Sequence, residues 1–267
     1  MYRIYILSHN RPNSIINCIK SVEEAAKNHA FVEIIISENS SNNKVLETLK
    51  ESNIKSTVID RSNYMTGVEH INFCLNEAKR DEKINYVCIF HDDDLMKKDF
   101  ICKSFEGFSK FSNTAAIAFD ISSTWRIKKA IFYNKEDLIN NIFSVNSSSV
   151  IPFPSFSYNL NLINFIELKN NIGKHCDVEF LLNVANIGKV LIIRSQQMMS
   201  VIHDGSDSYN ESISARRSLL NYVVRNHKVN KSFLKGYRMA YILRKKRLNS
   251  LKFFLNPRKR FLKIYMS

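Results

Sequence analysis

Residues that bend or loosen a backbone are scarce in this chain. Of 267 residues, only six are glycine and four are proline. That excludes a collagen-like repeat and argues against disordered, low-complexity character. Long apolar runs are missing too. The longest, Phe31 to Ile36 and Tyr86 to Phe90, are strand-sized and too short to span a bilayer. No N-terminal segment joins a basic start to an unbroken apolar stretch, so no signal peptide is expected. The five cysteines (Cys18, Cys74, Cys88, Cys102 and Cys176) form no CxxC or other ligand spacing. An odd, unpatterned set implies a reducing compartment, hence the cytoplasm. Cys18, Cys74 and Cys88 lie among apolar residues and read as buried free thiols.

Acidic residues stop at Glu211, whereas 16 of the 39 lysines and arginines lie beyond it. The rest of the chain holds 23 basic residues against 25 acidic ones, so the net charge of +14 belongs to the tail. Residues 1–210 read as one α/β domain, with 1–110 a nucleotide-binding half and 111–210 an acceptor-binding half. Residues 211–267 read as a basic, amphipathic helical extension. In that tail, Arg244 to Arg247 and Arg258 to Arg260 bracket Leu251, Phe253, Phe254 and Leu255. Mixed basic and apolar residues suit the surface of an anionic membrane, here the inner face of the cell membrane. The alternative is a solvated helical face. A nucleic-acid partner is not expected, because such enzymes spread basic residues along the groove they use.

Strand–helix alternation runs through the first hundred residues. Tyr2 to Leu7 is a strand, and Pro12 opens a helix over Ile15 to Ala26. Phe31 to Ile36 is a mostly apolar run, as in a parallel strand buried on both faces. A helix over Lys44 to Glu51, a strand over Ser56 to Asp60, a helix over Val68 to Arg80 and a strand over Ile84 to Phe90 follow. This predicts a doubly wound, mostly parallel sheet. Further on, Ala115 to Phe119 and Lys189 to Ile193 read as strands. Asn134 to Phe143 reads as helix or loop, and Ile151 to Ser155 as extended. Leu160 to Asn170, Cys176 to Asn186 and the region from Ser212 onward read as helices.

In such sheets, ligands sit beyond the carboxyl ends of the strands. Three polar loops fall there: Ser8 to Arg11, Ser37 to Asn42, and His91-Asp92-Asp93-Asp94. Three consecutive carboxylates after a buried strand repel one another, and a divalent cation compensates them. Hard oxygen ligands favour Mn2+ or Mg2+. The other reading of the run is an exposed acidic turn that favours the start of the next helix.

The opening YILSHNRPNSIINCIKSV resembles the first strand and loop of family 2 glycosyltransferases, inverting enzymes of the GT-A fold. EIIISENSS resembles their second strand, and YVCIFHDDDLMKKDF their DxD segment. KHCDVEFLLNVANIGKV resembles the helix bearing their base, and VIHDGSDS the loop that returns a histidine to the diphosphate. The resemblance covers about residues 1 to 210 in the family's order. It implies that Ser8, Asn10 and Arg11 line a nucleotide pocket with Asn39 and Gly67, and that Glu38 faces the base. It further implies His91 and Asp92 near the ribose and sugar, and Asp93 or Asp94 on the metal with His203. His91 stands where many relatives have an additional aspartate. Asp177 matches the base, with Cys176 in place of the more usual glutamate before it, and Glu179 is the fallback. Trp125, Phe153, Phe156 and Tyr158 read as core packing or as a sugar platform.

The expected activity is metal-dependent transfer of a hexosyl or N-acetylhexosaminyl group. The donor is a nucleoside-diphosphate sugar, most simply a UDP-sugar, and the acceptor a glycan or lipid-linked acceptor of a bacterial surface polysaccharide. A nucleotidyltransferase shares the architecture and metal carboxylates. It would carry a Gly- and Lys-rich phosphate loop, and Ser8 to Ser14 contains neither residue. A non-enzymatic membrane or nucleic-acid adaptor is the remaining alternative.

Overall fold

A computed structural model describes residues 1–61, 65–119, 130–142, 153–170, 172–193, 195–199 and 213–227. The strands are β1 (Tyr2–Ser8), β2 (Val32–Glu38), β3 (Thr57–Asp60), β4 (Tyr86–His91), β5 (Leu95–Met96), β6 (Thr114–Phe119), β7 (Ala130–Tyr133), β8 (Phe156–Asn159), β9 (Lys189–Ile193) and β10 (Met198–Met199). The helices are α1 (Pro12–Ala26), α2 (Lys44–Lys50), α3 (Gly67–Arg80), α4 (Phe100–Lys110), α5 (Lys135–Ile142), α6 (Leu160–Ile163), α7 (Cys176–Ile187) and α8 (Ile213–Asn226). Eight strands form one sheet in the order β3-β2-β1-β4-β8-β6-β9-β7, and β5 and β10 form a separate antiparallel pair. β3, β2, β1 and β4 run parallel, as do β6 and β9; β8 and β7 are antiparallel to their neighbours. The doubly wound, mostly parallel sheet expected from the sequence is the one observed.

Strand alternation sends successive side chains to opposite faces. Ile4 and Ile6 join Ile36, Cys88, Phe90 and Ile117 on one face, covered by α1 and α4 through Ile15, Cys18, Ile19, Phe100 and Ile101. Tyr5 joins Ile35, Val87, Ile89 and Ala116 on the other, covered by α3 and α7 through Cys74, Leu75, Val178 and Leu182. Both faces are therefore apolar, which is why β1 shows no polar–apolar alternation. Cys18, Cys74 and Cys88 are buried and all five cysteines are free. Phe153, Phe156 and Tyr158 are buried in the core beside Phe180, so they form no platform. Trp125 lies outside the described residues.

Two expectations are corrected. Leu160 to Asn170 is not one helix: α6 is a single turn, after which the chain leaves helical form. The cause lies on α3. The Asn72 side chain donates to the Leu168 carbonyl and accepts from its N–H, both at 2.8 Å, and Lys79 donates to the Ile166 carbonyl at 2.8 Å. Backbone groups a helix would pair internally are taken by a neighbour. Second, Phe153–Ser155 is a 3-10 turn against β4 and not extended chain; residues 151–152 are outside the described set. The expected tail beyond residue 227 and His203 also fall outside it. Among the described residues, no helix is long and apolar enough to cross a membrane.

Candidate active site

Strand register sets the site. Ser8 pairs with Glu38, and Leu7 pairs with His91, so β1, β2 and β4 end level with one another. Their three loops leave the sheet side by side. Asn10 stitches two of them. At φ 56° it occupies the left-handed region that asparagine tolerates better than most residues. Its N–H donates to Ser40 Oγ at 2.7 Å, while its Oδ1 accepts from the Ser41 N–H and hydroxyl at 3.1 Å. Asn39 ties the second loop to the start of α3: Nδ2 donates to the Met65 carbonyl at 2.8 Å and Oδ1 accepts from its N–H at 2.9 Å. The Thr66–Glu69 capping box then starts α3 at Gly67, where a Cβ would meet nothing within 4 Å.

The acidic turn is joined to the first loop by Arg11. Its guanidinium donates to Asp92 Oδ1 at 2.8 Å and lies 3.2 Å from Asp93 Oδ2. The His9 N–H supplies a further bond to Asp92 Oδ2 at 2.9 Å. Asp92 is fully buried and Asp94 is 4% exposed, so the run is not the exposed turn of the alternative reading. Burial raises the Asp92 pKa, which the His9 N–H and the Arg11 charge pull back down while Asp93 adds to the rise. The chain reverses after β4 because the Asp94 N–H bonds the His91 carbonyl at 3.3 Å. That turn brings one donor atom each of His91, Asp93 and Asp94 within 4.8 Å of one another. Asp92 points instead to Arg11 and His9. His91, expected at the ribose and sugar, thus stands with Asp93 and Asp94.

Two groups at the ends of β1 and β2 have no hydrogen-bond partner among the described residues. They are Ser8 Oγ and Glu38 Oε2, both on buried side chains. Glu38 Oε1 is engaged by the Ser40 N–H at 2.6 Å. Below them, Ser37 Oγ receives Arg61 Nε at 3.0 Å and the Cys74 thiol at 3.4 Å, so its own proton faces His70 Nε2 at 2.8 Å. His70 is therefore neutral. Burial, helped by the Arg61 charge, pushes its pKa down to about 4. His9 and His70 were not foreseen. The only sequence signal for either was position: His9 within the first loop, and His70 one turn into α3.

Asp177 and Glu179 both lie in the first turn of α7. α7 precedes β9, which runs parallel to β6. A helix leading into a parallel strand runs against it, so it starts at the strands' carboxyl edge, the edge that carries the loops. Asp177 is half-buried, and desolvation pushes its carboxyl up to about 6 against the bond its Oδ1 receives from the Val178 N–H at 2.8 Å. Glu179 turns the other way. It is 4% exposed and accepts the Tyr222 hydroxyl of α8. β10, the strand before the segment that holds His203, pairs with β5 directly after the acidic turn.

Residues 4–160 match the model of glycosyl transferase family 2, and the chain belongs to that family. It is a glycosyltransferase with a GT-A-like α/β fold. No curated protein matches it. Among solved structures it is similar to Staphylococcus aureus TarS 1-349 in complex with UDP-GlcNAc, at 12% identity and TM-score 0.64, covering 97% of this chain and 77% of that one. A longer S. aureus TarS structure matches at 14% identity and TM-score 0.57, covering 88% of this chain and 42% of that one. The mannosyltransferase PcManGT from Pyrobaculum calidifontis, in complex with GDP-Man and Mn2+, matches at 13% identity and TM-score 0.60, covering 91% and 69%.

Proposed function

We propose that this glycosyltransferase moves a hexosyl or N-acetylhexosaminyl group, with inversion, from a nucleoside-diphosphate sugar to a glycan or lipid-linked acceptor of a bacterial surface polysaccharide. The observation that carries this reading is the joining of three strand-end loops, the first tied to the second by Asn10 and to the acidic turn by Arg11, beside the His91, Asp93 and Asp94 donors. Structures of similar fold hold UDP-GlcNAc, or GDP-Man with Mn2+, which supports the donor class and a divalent ion.

The donor set fits such an ion: two carboxylates and an imidazole, one carboxylate almost fully buried. Asp93 is the first choice of carboxylate and Asp94 the second, with His203 as a further donor. When bound, Mn2+ or Mg2+ offsets charge on the diphosphate leaving group. Arg11 stands at the same turn and contributes a second positive charge. Asp92, fixed by Arg11 and the His9 N–H, accepts from ribose and sugar hydroxyls. Glu38 Oε2, without a partner among the described residues, recognises a base through an N–H, as uracil N3 offers; Ser8 is its register partner on β1. Asn10 and Asn39 hold the pocket's loops, and Gly67 leaves room at the start of α3. Asp177 takes the acceptor hydroxyl's proton as that oxygen attacks the anomeric carbon and the bond to the diphosphate breaks. A carboxyl held at about 6 is better matched to this than an ordinary aspartate.

A thermal-shift panel of nucleoside diphosphates, with and without Mn2+, tests the reading. UDP with Mn2+ at a hundredfold excess over Kd stabilises by about 2.7 kcal/mol. If no nucleotide shifts the wild type, or Asp93→Ala shifts as fully, the reading is wrong. In the same proposal the enzyme works at the inner face of the cell membrane, held by its basic tail. Sedimentation with anionic liposomes should recover the full chain but not a chain ending at His227; equal recovery refutes the attachment.

A further inference from the structure

One donor of the acidic turn is not a carboxylate. His91 ends β4, and its ring nitrogen stands within 4.8 Å of carboxylate oxygens of Asp93 and Asp94. Building on the metal reading above, we infer that His91 makes this a mixed nitrogen–oxygen site that selects manganese and the later first-row divalent ions over magnesium.

The placement is built in. Sheet pairing with Leu7 fixes the His91 backbone, and its carbonyl is held by the Cys18 thiol at 3.2 Å and the Asp94 N–H at 3.3 Å. The ring therefore projects from a held strand end into the same turn as the two carboxylates, and the three donors are gathered before any ion arrives. Magnesium favours oxygen donors in near-ideal octahedra and gives up its waters reluctantly. Imidazole nitrogen is a softer donor, and ions bind it more strongly along the series from manganese toward zinc. An aspartate at position 91 would add a third negative charge to the cluster, which helps any dication and magnesium relatively most. Arg11 works in the same direction. By lying on Asp93 it offsets part of the cluster's negative charge. With purely ionic attraction weakened, the kind of donor atom decides more of the affinity.

Two measurements on the full chain with UDP test this. In the first, Mn2+ binding is followed by EPR of the free ion, and Mg2+ is titrated in as competitor. Wild type should retain Mn2+ against Mg2+, and His91→Asp should narrow that preference by roughly tenfold or more, the scale on which metal sites respond to altered surroundings. In the second, pulsed EPR of bound Mn2+ should show 14N modulation that becomes 15N after histidine labelling and weakens in His91→Asp. Circular dichroism checks folding, and His91→Asn replaces His91→Asp if that variant fails to fold. Bound Mn2+ without imidazole nitrogen in wild type overturns this inference while leaving the metal reading intact. So does modulation undiminished in the variant, which assigns all the nitrogen to another histidine, or an unchanged Mn2+/Mg2+ preference. No Mn2+ binding at all overturns the metal reading, and this inference with it.

Discussion

Asp177→Asn should make the protein more stable and inactive at once. Burial raises the carboxyl from 3.8 to about 6, so at neutral pH the fold carries an ionised group it would rather hold protonated. A shift of two pKa units corresponds to about 3 kcal/mol. The residue is half-buried, and solvent screening trims this to about 2 kcal/mol. The folded pKa lies above the unfolded one, so the folded state binds the proton more tightly. Relative to a neutral side chain, the penalty is absent below about pH 4, grows between 4 and 6, and is complete above 6. Asparagine keeps an oxygen for the Val178 N–H and carries no charge. In a chain of this size the variant should melt roughly 4–8 °C higher at pH 8. The gain should vanish at pH 4. Melting curves across that range give the stability arm. Transfer assays give the other: wild-type turnover falls as pH drops through about 6, and the variant has no measurable turnover. A variant no more stable at pH 8, or one that still transfers sugar, refutes the assignment of a desolvated base.

His70 gives the opposite pH dependence. Its folded pKa of about 4 lies below the ordinary 6.5, so the unfolded chain takes up protons first and wild type loses up to about 3 kcal/mol as pH falls from 6.5 to 4. His70→Gln should flatten that limb in urea titrations at pH 7 and 4.5; an unchanged slope refutes it. Tyr222→Phe leaves the buried Glu179 oxygen without its hydroxyl donor and should cost about 1–3 kcal/mol in chemical denaturation. Glu179→Gln keeps an acceptor for Tyr222 and should retain most of its transfer activity; a loss as deep as that of Asp177→Asn would make Glu179 the base. Gly188→Ala places a Cβ 2.8 Å from the Ala115 Cβ and 3.0 Å from the Asn113 carbonyl, where α7 turns into β9 beside β6. That overpacking should cost about 1–3 kcal/mol, and a melting temperature equal to wild type would show that the turn gives way freely.

Elements that rest on local pattern were legible in the sequence, and those decided by a distant partner were not. The mostly apolar run of β2 and the proline opening α1 sufficed, because burial on both faces and a fixed φ act within a few residues. α4 was passed over even though its buried residues recur at helical spacing from Phe100 to Phe108. β5 and β10 are two residues each, below any period. β8 was hidden because Phe156, Ser157 and Tyr158 are all buried, serine included: its hydroxyl meets those of Tyr2 and Ser104, 155 and 53 residues away. The helix expected to run on from Leu160 stops after one turn for a related reason, since Asn72 and Lys79 on α3 claim its backbone.

The site shows the same division more sharply, and it explains why two neighbouring carboxylates part ways. In sequence, Asp177 and Glu179 differ only by a two-residue step in one helical turn, about 200° around the axis. Nothing local ranks them. What ranks them is α8, whose Tyr222 reaches across to Glu179 and covers it, while Asp177 stays half-buried at the sheet edge where the three loops emerge. The acidic run divides likewise. Its three aspartates are alike in sequence, but Arg11 and the His9 N–H claim Asp92, and the turn folds Asp93 and Asp94 back toward His91. In both cases, residues far along the chain set one carboxylate of a group apart from its neighbours. The Glu179→Gln and Asp177→Asn pair tests that division directly, because a mere count of acidic residues predicts that the two variants behave alike.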